Sequence, residues 1–161
     1  MVPGSLVLSA VAAQDLAATA RAAWPTEMVG LLAGWKGGPA GSHRGGSELN
    51  VSFFLPLLDA SCTRGGFVVS PACFARGEAE LRRLGLSWLG FAHSHCNGIA
   101  APSATDRTEL WRECVQLIVA IDGANEESLD DTRTVQLAAF WLTGEHCVPL
   151  PIAQAAALAA Q

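Results

Sequence analysis

The sequence predicts an α/β fold, a central β-sheet flanked by helices, on three observations. Short apolar runs of strand length alternate along the chain with stretches whose apolar residues recur at helical spacing. Capping and breaking residues punctuate the junctions, and no segment repeats another. With 161 residues, half of them hydrophobic and 16% charged, the chain suffices for one domain with a proper core and is unlike a disordered polypeptide.

Taken in order, residues 5–8 read as a short strand, and Ser9 follows as an N-cap whose hydroxyl can accept from the open N–H groups of the next turn. Ala13, Leu16, Ala17, Ala20 and Trp24 form a helical stripe, with Gln14, Asp15 and Arg21 off it, and Pro25 stops the helix. Met28 to Ala33 is an apolar run of buried-strand length closed by Gly34, with Glu27 at its entrance. The Gly- and Ser-rich segment 36–47 reads as a surface connection. Strands are expected at 49–58 and 66–69. Ser70-Pro71, a cap followed by an N1 proline, opens a helix. Its buried face should carry Phe74, Gly77, Leu81 and Leu84, with Glu78 and Arg82 paired at i,i+4 on the wet face. Leu86 to Ala92 is again strand-like and runs into His93-Ser94-His95. A loop over 96–102 precedes a helix expected from Ser103 to Cys114, and strands over 115–121 and 134–142 complete the series. The domain is expected to span 1–152, with an Ala-rich tail over 153–161 as a frayed or disordered end.

The formal net charge of −5, with ten scattered Lys and Arg, argues against nucleic acid or an anionic membrane surface as partner. Five cysteines (Cys62, Cys73, Cys96, Cys114, Cys147) form no C-x-x-C pair and leave one over in any full bridging scheme, which favours reduced thiols. The apolar run Leu6 to Ala13 lacks the preceding positive charge of a secretory leader, since the first basic residue is Arg21. No stretch reaches membrane-spanning length. A cytoplasmic, soluble protein is expected.

Three pieces of the sequence can carry chemistry, and each also has a plain structural reading. Residues i and i+2 of a strand share a face, so His93 and His95 aim two imidazoles one way while Ser94 faces the other. Such a pair supplies two legs of a tetrahedral zinc site, yet alone it reads first as one exposed and one core histidine. Ser103-Ala104-Thr105-Asp106 is equally a capping box that stabilises a helix start. Glu27 alone is a solvated acid at a loop-to-strand junction. Their order is what adds information: an acid opening a Gly-Leu-Leu segment, then H-x-H, seven residues, and S-x-x-D.

Glu27-Met28-Val29-Gly30-Leu31-Leu32-Ala33-Gly34 and the run from His93 to Asp106 resemble the signature of the JAMM (MPN-plus) zinc metallopeptidases. The likeness extends in element order over roughly residues 5–143. It implies an MPN/JAMM fold, a mixed sheet flanked by helices with a cytidine-deaminase-like layout. It also implies that His93, His95 and Asp106 bind Zn2+, that Glu27 is the general base acting on water, and that Ser103 stabilises the oxyanion. The compact chain is more similar to the bacterial branch that processes small ubiquitin-like sulfur carriers, hydrolysing the amide after a C-terminal Gly-Gly. One departure stands out. Relatives commonly place proline after the second histidine, where this chain has Cys96, which reads as filler or as a further group reaching the metal. His43 and His146 match no motif position and read as surface residues.

Two other classes fit the same fold: a non-catalytic scaffold, and a DNA-repair-associated relative that binds a protein partner. The full ligand set disfavours the first, and Ser94 with the acidic charge disfavours the second. Other H-x-H enzymes fit less well. The β-lactamase-type motif needs an Asp-His pair where this chain has Asn97-Gly98, the deaminase motif needs an absent P-C-x-x-C, and barrel amidohydrolases need a longer chain.

Overall fold

The structure, a computed structural model, describes residues 1–37, 48–122, 133–144 and 146–154. Strand β1 (Ser5–Leu8) leads into helix α1 (Ala10–Ala23), and β2 (Val29–Lys36) and β3 (Glu48–Pro56) follow. A small hairpin of β4 (Ser61–Thr63) and β5 (Gly66–Val68) precedes helix α2 (Pro71–Arg83) and strand β6 (Ser87–His95). After the short helix α3 (Ala104–Glu109) come β7 (Val115–Ile121), β8 (Val135–Thr143), β9 (His146–Leu150) and β10 (Ile152–Gln154). Eight strands form one sheet in the order β10-β1-β3-β2-β6-β7-β8-β9, while β4 and β5 pair only with each other. The β1–β3, β1–β10 and β6–β7 pairs are parallel and the rest antiparallel, so the fold is the expected α/β class with a central mixed sheet flanked by helices.

Each helix covers one face of this sheet. Ser9 caps α1 by accepting from the Ala12 N–H, and the helix buries Ala12, Leu16 and Ala20 against Leu32, Val51, Ala92 and Leu117. The stripe is therefore centred on Ala12, one position before the expected Ala13. On the other face, Ser70 caps α2 and Pro71 occupies its first turn as predicted. Cys73 and Leu81 pack there with Val29, Leu31, Leu57 and Phe91. Gly77 lets α2 lie close to the sheet, since a Cβ on it would come 2.8 Å from both Leu31 Cδ1 and Leu57 Cδ2.

Several expectations shift. Leu84 is 44% exposed because it is the C-cap of α2, where the chain turns out toward Gly85, rather than part of the buried stripe. The helix expected to reach Cys114 stops at Glu109: Leu110 is already extended, and Glu113 adopts a left-handed backbone (φ 58°). The run 66–69 is strand only through Val68, and its partner β4 went unread. Strand β10 crosses the expected limit of the domain at 152, pairing Ile152, Ala153 and Gln154 with β1. Residues 155–161 of the tail, and His43 with most of the 36–47 connection, lie outside the described residues. Among the described residues no helix is long and apolar enough to cross a membrane, and all five cysteines are free thiols.

Leu16 is fully buried between α1 and the sheet. Leu16→Ala should cost about 3 kcal/mol of stability, the usual price of a buried cavity of that size. Urea unfolding followed by circular dichroism measures this, and a loss below about 1 kcal/mol would show that α1 is not locked onto the sheet.

Candidate metal centre

The site forms where β2 and β6 run antiparallel at the middle of the sheet. Val29 pairs with His93, the Ser94 N–H donates to the Met28 carbonyl at 2.9 Å, and the Met28 N–H donates to Ser94 Oγ at 2.8 Å. Extending this ladder brings Glu27 alongside His95 although 68 residues separate them. Ser94 thus faces away from the histidines, as strand alternation requires, and ties the two strands together. His93 and His95 point to the α2 face at the end of β6. The Asp106 carboxylate reaches them from the first turn of α3.

His93 Nε2 lies 3.2 Å from His95 Nε2 and 3.5 Å from Asp106 Oδ1, and His95 Nε2 lies 3.2 Å from Asp106 Oδ2. All three residues are buried. The edges of a tetrahedral site with metal–ligand bonds of 2.0–2.2 Å are about 3.3–3.6 Å, so each nitrogen and the carboxylate oxygen nearest it are close to ligand spacing, and one donor atom from each residue lies within 4.8 Å of the others. The protonation pattern points the same way. His95 Nδ1 lies 2.9 Å from the Ile99 carbonyl oxygen, which can only accept, so Nδ1 carries the proton. In the neutral ring Nε2 then directs a lone pair at a carboxylate and at a second imidazole nitrogen. Such a convergence of electron pairs is resolved by a cation, and the outer hydrogen bond from Nδ1 to a carbonyl is the usual companion of a metal-bound histidine. The donor set therefore fits a divalent metal.

Charge supports the grouping. Burial by itself would raise the Asp106 carboxyl, but the adjacent His93 and His95 rings, together with the Ser103 N–H donating at 2.7 Å, hold it well below the ordinary range. Burial lowers the pKa of His93. For His95 the pull of burial in the same direction is outweighed by Asp106 and the Ile99 carbonyl, leaving it raised. Ser103 and Asp106 form a reciprocal capping box, with Ser103 Oγ accepting from the Asp106 N–H at 3.1 Å. The structural and ligand readings of that tetrapeptide coexist.

Glu27 stands apart from the three donors but lines the same cavity, of about 630 Å³, as His95, Asp106 and Ser103. It is 8% exposed. Burial raises its pKa to about 7, with His95 opposing the shift and Asp106 adding to it. Cys96 also borders the cavity yet does not join the donor group, so it is not a fourth ligand here. His146 is exposed, as expected.

The β4–β5 hairpin closes the site, and sequence reasoning missed it. The Thr63 carbonyl accepts from the Glu27 N–H at 2.7 Å, and the Phe67 ring sits 5.0 Å from that of His93. The signal was present in Gly65-Gly66, a turn dipeptide between two short β-prone runs.

The family described as prokaryotic homologs of the JAB domain matches residues 9–139, a span that contains all of these groups. The chain belongs to that family. A Desulfitobacterium hafniense protein solved in solution shares the fold, with a TM-score of 0.72 and 24% identity over 96% of this chain and 95% of that one. A JAB1/MPN domain protein from Archaeoglobus fulgidus matches with a TM-score of 0.47 and 19% identity over 91% and 97%. No curated protein matches. The JAB/MPN fold includes hydrolases, and members of the prokaryotic family can also be inactive.

The buried Glu27 of this JAB domain has a stability consequence of definite sign. An unfolded chain ionises Glu27 near the ordinary 4.5, whereas the native state keeps the proton until about pH 7. Native protein therefore binds the extra proton in this window, and stability falls as pH rises from 4.5 to 7. In chelator-treated protein, Glu27→Gln should raise stability at pH 8 by roughly 1–3 kcal/mol and leave it nearly unchanged at pH 4.5. Thermal unfolding at the two pH values tests this, and equal effects at both would refute the buried-acid assignment.

Proposed function

We propose that this JAB domain is a zinc-dependent metallopeptidase that hydrolyses the amide bond following the C-terminal Gly-Gly of a small ubiquitin-like sulfur-carrier protein in the cytoplasm. The observation that carries the reading is the meeting of three buried donor residues, with ligand atoms within 4.8 Å of one another, beside a carboxyl group poised near neutral pH. His93, His95 and Asp106 would hold the metal, and two imidazoles with one carboxylate suit zinc and leave a coordination position for catalysis. When bound, zinc supplies Lewis acidity toward water and the scissile carbonyl.

The protein groups divide the remaining work. Glu27 exchanges a proton readily near pH 7, so it can take one from the attacking water and return it to the departing amine. Ser103 Oγ accepts from the Asp106 N–H, which leaves its own hydroxyl proton to donate to a developing oxyanion in the cleft. Ile99 orients His95 through its carbonyl, and the capping box orients Asp106. Strand β5 has β4 on one edge only, and its other edge suits an extended Gly-Gly tail added as a further strand. A partner-binding scaffold needs neither the buried donors nor the desolvated acid.

The purified protein should bind one zinc per chain, and His93→Ala and Asp106→Ala should each lose it, as read by elemental analysis. Unchanged zinc in both variants would mean that the ligands lie elsewhere. Glu27→Gln should keep zinc and fold but lose hydrolysis of Gly-Gly-X carriers. Ser103→Ala should retain a residual rate about 10²- to 10³-fold lower. A cleavage panel of Gly-Gly-X carriers and ubiquitin linkages, run with and without a chelator, tests the reading. Absence of metal-dependent cleavage of every carrier would overturn it.

A further inference from the structure

The cavity does not end at the metal centre. Away from the donors it is walled by Phe67 and Val69 on the hairpin side and by Phe91, Leu110 and Trp111 on the other. Phe91 shares a sheet face with His93 and stands two residues back along β6, so this apolar wall adjoins the donor residues. An apolar side chain on a residue flanking the scissile bond would meet this wall.

The segment that carries Trp111 is built to present it. Helix α3 stops at Glu109, two residues before Trp111. Glu113 takes a left-handed backbone that non-glycine residues seldom adopt, fixed by its N–H donating to the Leu142 carbonyl at 2.7 Å. The side chain of Gln116, which is 1% exposed, donates from Nε2 to the Trp111 carbonyl at 3.1 Å while its Oε1 is buried without a partner. The Trp111 ring contacts Phe74, Trp88 and Phe91 with centroids 4.5, 5.8 and 5.4 Å away, yet Trp111 remains 48% exposed. A tryptophan clamped on three rings, with half its surface open and bordering the cavity, is a rigid contact surface rather than a loose exposed residue.

We propose that Trp111 is a specificity-determining residue. With Phe91 and Phe67 it forms an apolar subsite that receives a bulky apolar side chain on the residue released from the carrier. The assignment to the released residue rests on the function proposed above, because a Gly-Gly acyl side has no side chain to offer. Glu109, Glu27, Asp106 and Arg64 all border the cavity, so its charge is mixed and the apolar wall sets the preference. Gln116 acts as a positioning residue for Trp111.

The test pairs cleavage with binding. Zinc-loaded protein is given carriers ending Gly-Gly-X with X as Leu, Phe, Ser or Asp. Leu and Phe should exceed Ser and Asp by about tenfold or more in kcat/KM, and Trp111→Ala should shrink the Leu/Ser ratio to within about threefold while Trp111→Phe retains most of it. Independently of turnover, the indole N–H signal of Trp111 is followed by nuclear magnetic resonance in Glu27→Gln protein titrated with acetyl-Gly-Gly-Leu-amide or its Ser counterpart. The Leu peptide should move that signal at lower concentration than the Ser peptide. If the Leu peptide binds selectively but nothing is cleaved by the wild type, the subsite stands and the hydrolase reading fails. If Leu and Ser are bound and cleaved alike, or if folded Trp111→Ala keeps the full Leu preference, the subsite is refuted. Should Trp111→Ala not fold, the binding arm decides alone.

Discussion

Two imidazole nitrogens lie 3.2 Å apart inside the protein, and the two oxygens of one carboxylate approach them, one oxygen to each, at 3.5 and 3.2 Å. In a medium of low polarity their mutual repulsion is costly unless a positive charge sits among them. The hydrogen bond between His95 Nδ1 and Ile99 removes the easiest escape, because it keeps the neutral ring's proton on the outer nitrogen. The capping box removes another by fixing where Asp106 can point. The rest of the cleft is arranged around that affinity for a cation.

The scaffold builds this arrangement with very little local sequence. The β2–β6 ladder brings Glu27 beside His95, and parallel pairing of β6 with β7 backs the histidines with Ile118, Val119 and Ala120. Gly90 permits that close pairing, since a Cβ there would lie 2.1 Å from the Val115 carbonyl oxygen. The hairpin then closes the front, tying Glu27 through its backbone and covering His93 with Phe67. Burial of Glu27, and with it the raised pKa, is a product of this closure and not of any residue adjacent to Glu27 in sequence.

Legibility in the sequence followed the range of the forces involved. Ser9 and Ser70 announced helix starts because capping is decided within four residues. The strands over 115–121 and 134–142 were readable because a predominantly apolar, β-branched and aromatic run of that length has few other uses. His93, His95, Asp106 and Glu27 were recognisable by order and spacing, but their meeting is a matter of sheet register that no local pattern carries. The reading failed at Leu110, where helical propensity is overridden by the anchoring of Glu113 to Leu142 and of Trp111 to Gln116. It failed again at β4, β9 and β10, which are three to five residues long, too short for a periodic pattern, and β10 pairs with β1 at the other end of the chain. Leu84 was misread because the periodic stripe says nothing of where a helix ends.

Three local costs of the fold lie at this cavity or in the segment that carries its Trp111 wall. Glu27 is desolvated, Glu113 is held left-handed, and Gln116 Oε1 is buried without a partner, each worth on the order of 1–3 kcal/mol against stability. Elsewhere the caps of α1 and α2 are satisfied and the sheet interior is Leu, Ile and Val, although Trp24 and Trp141 also bury an indole N–H without a partner. Around Trp111 the costs fall on groups that fix its segment, so that wall of the cavity is held by its surroundings, and the two apolar clusters on either face of the sheet supply the rigidity that holding requires.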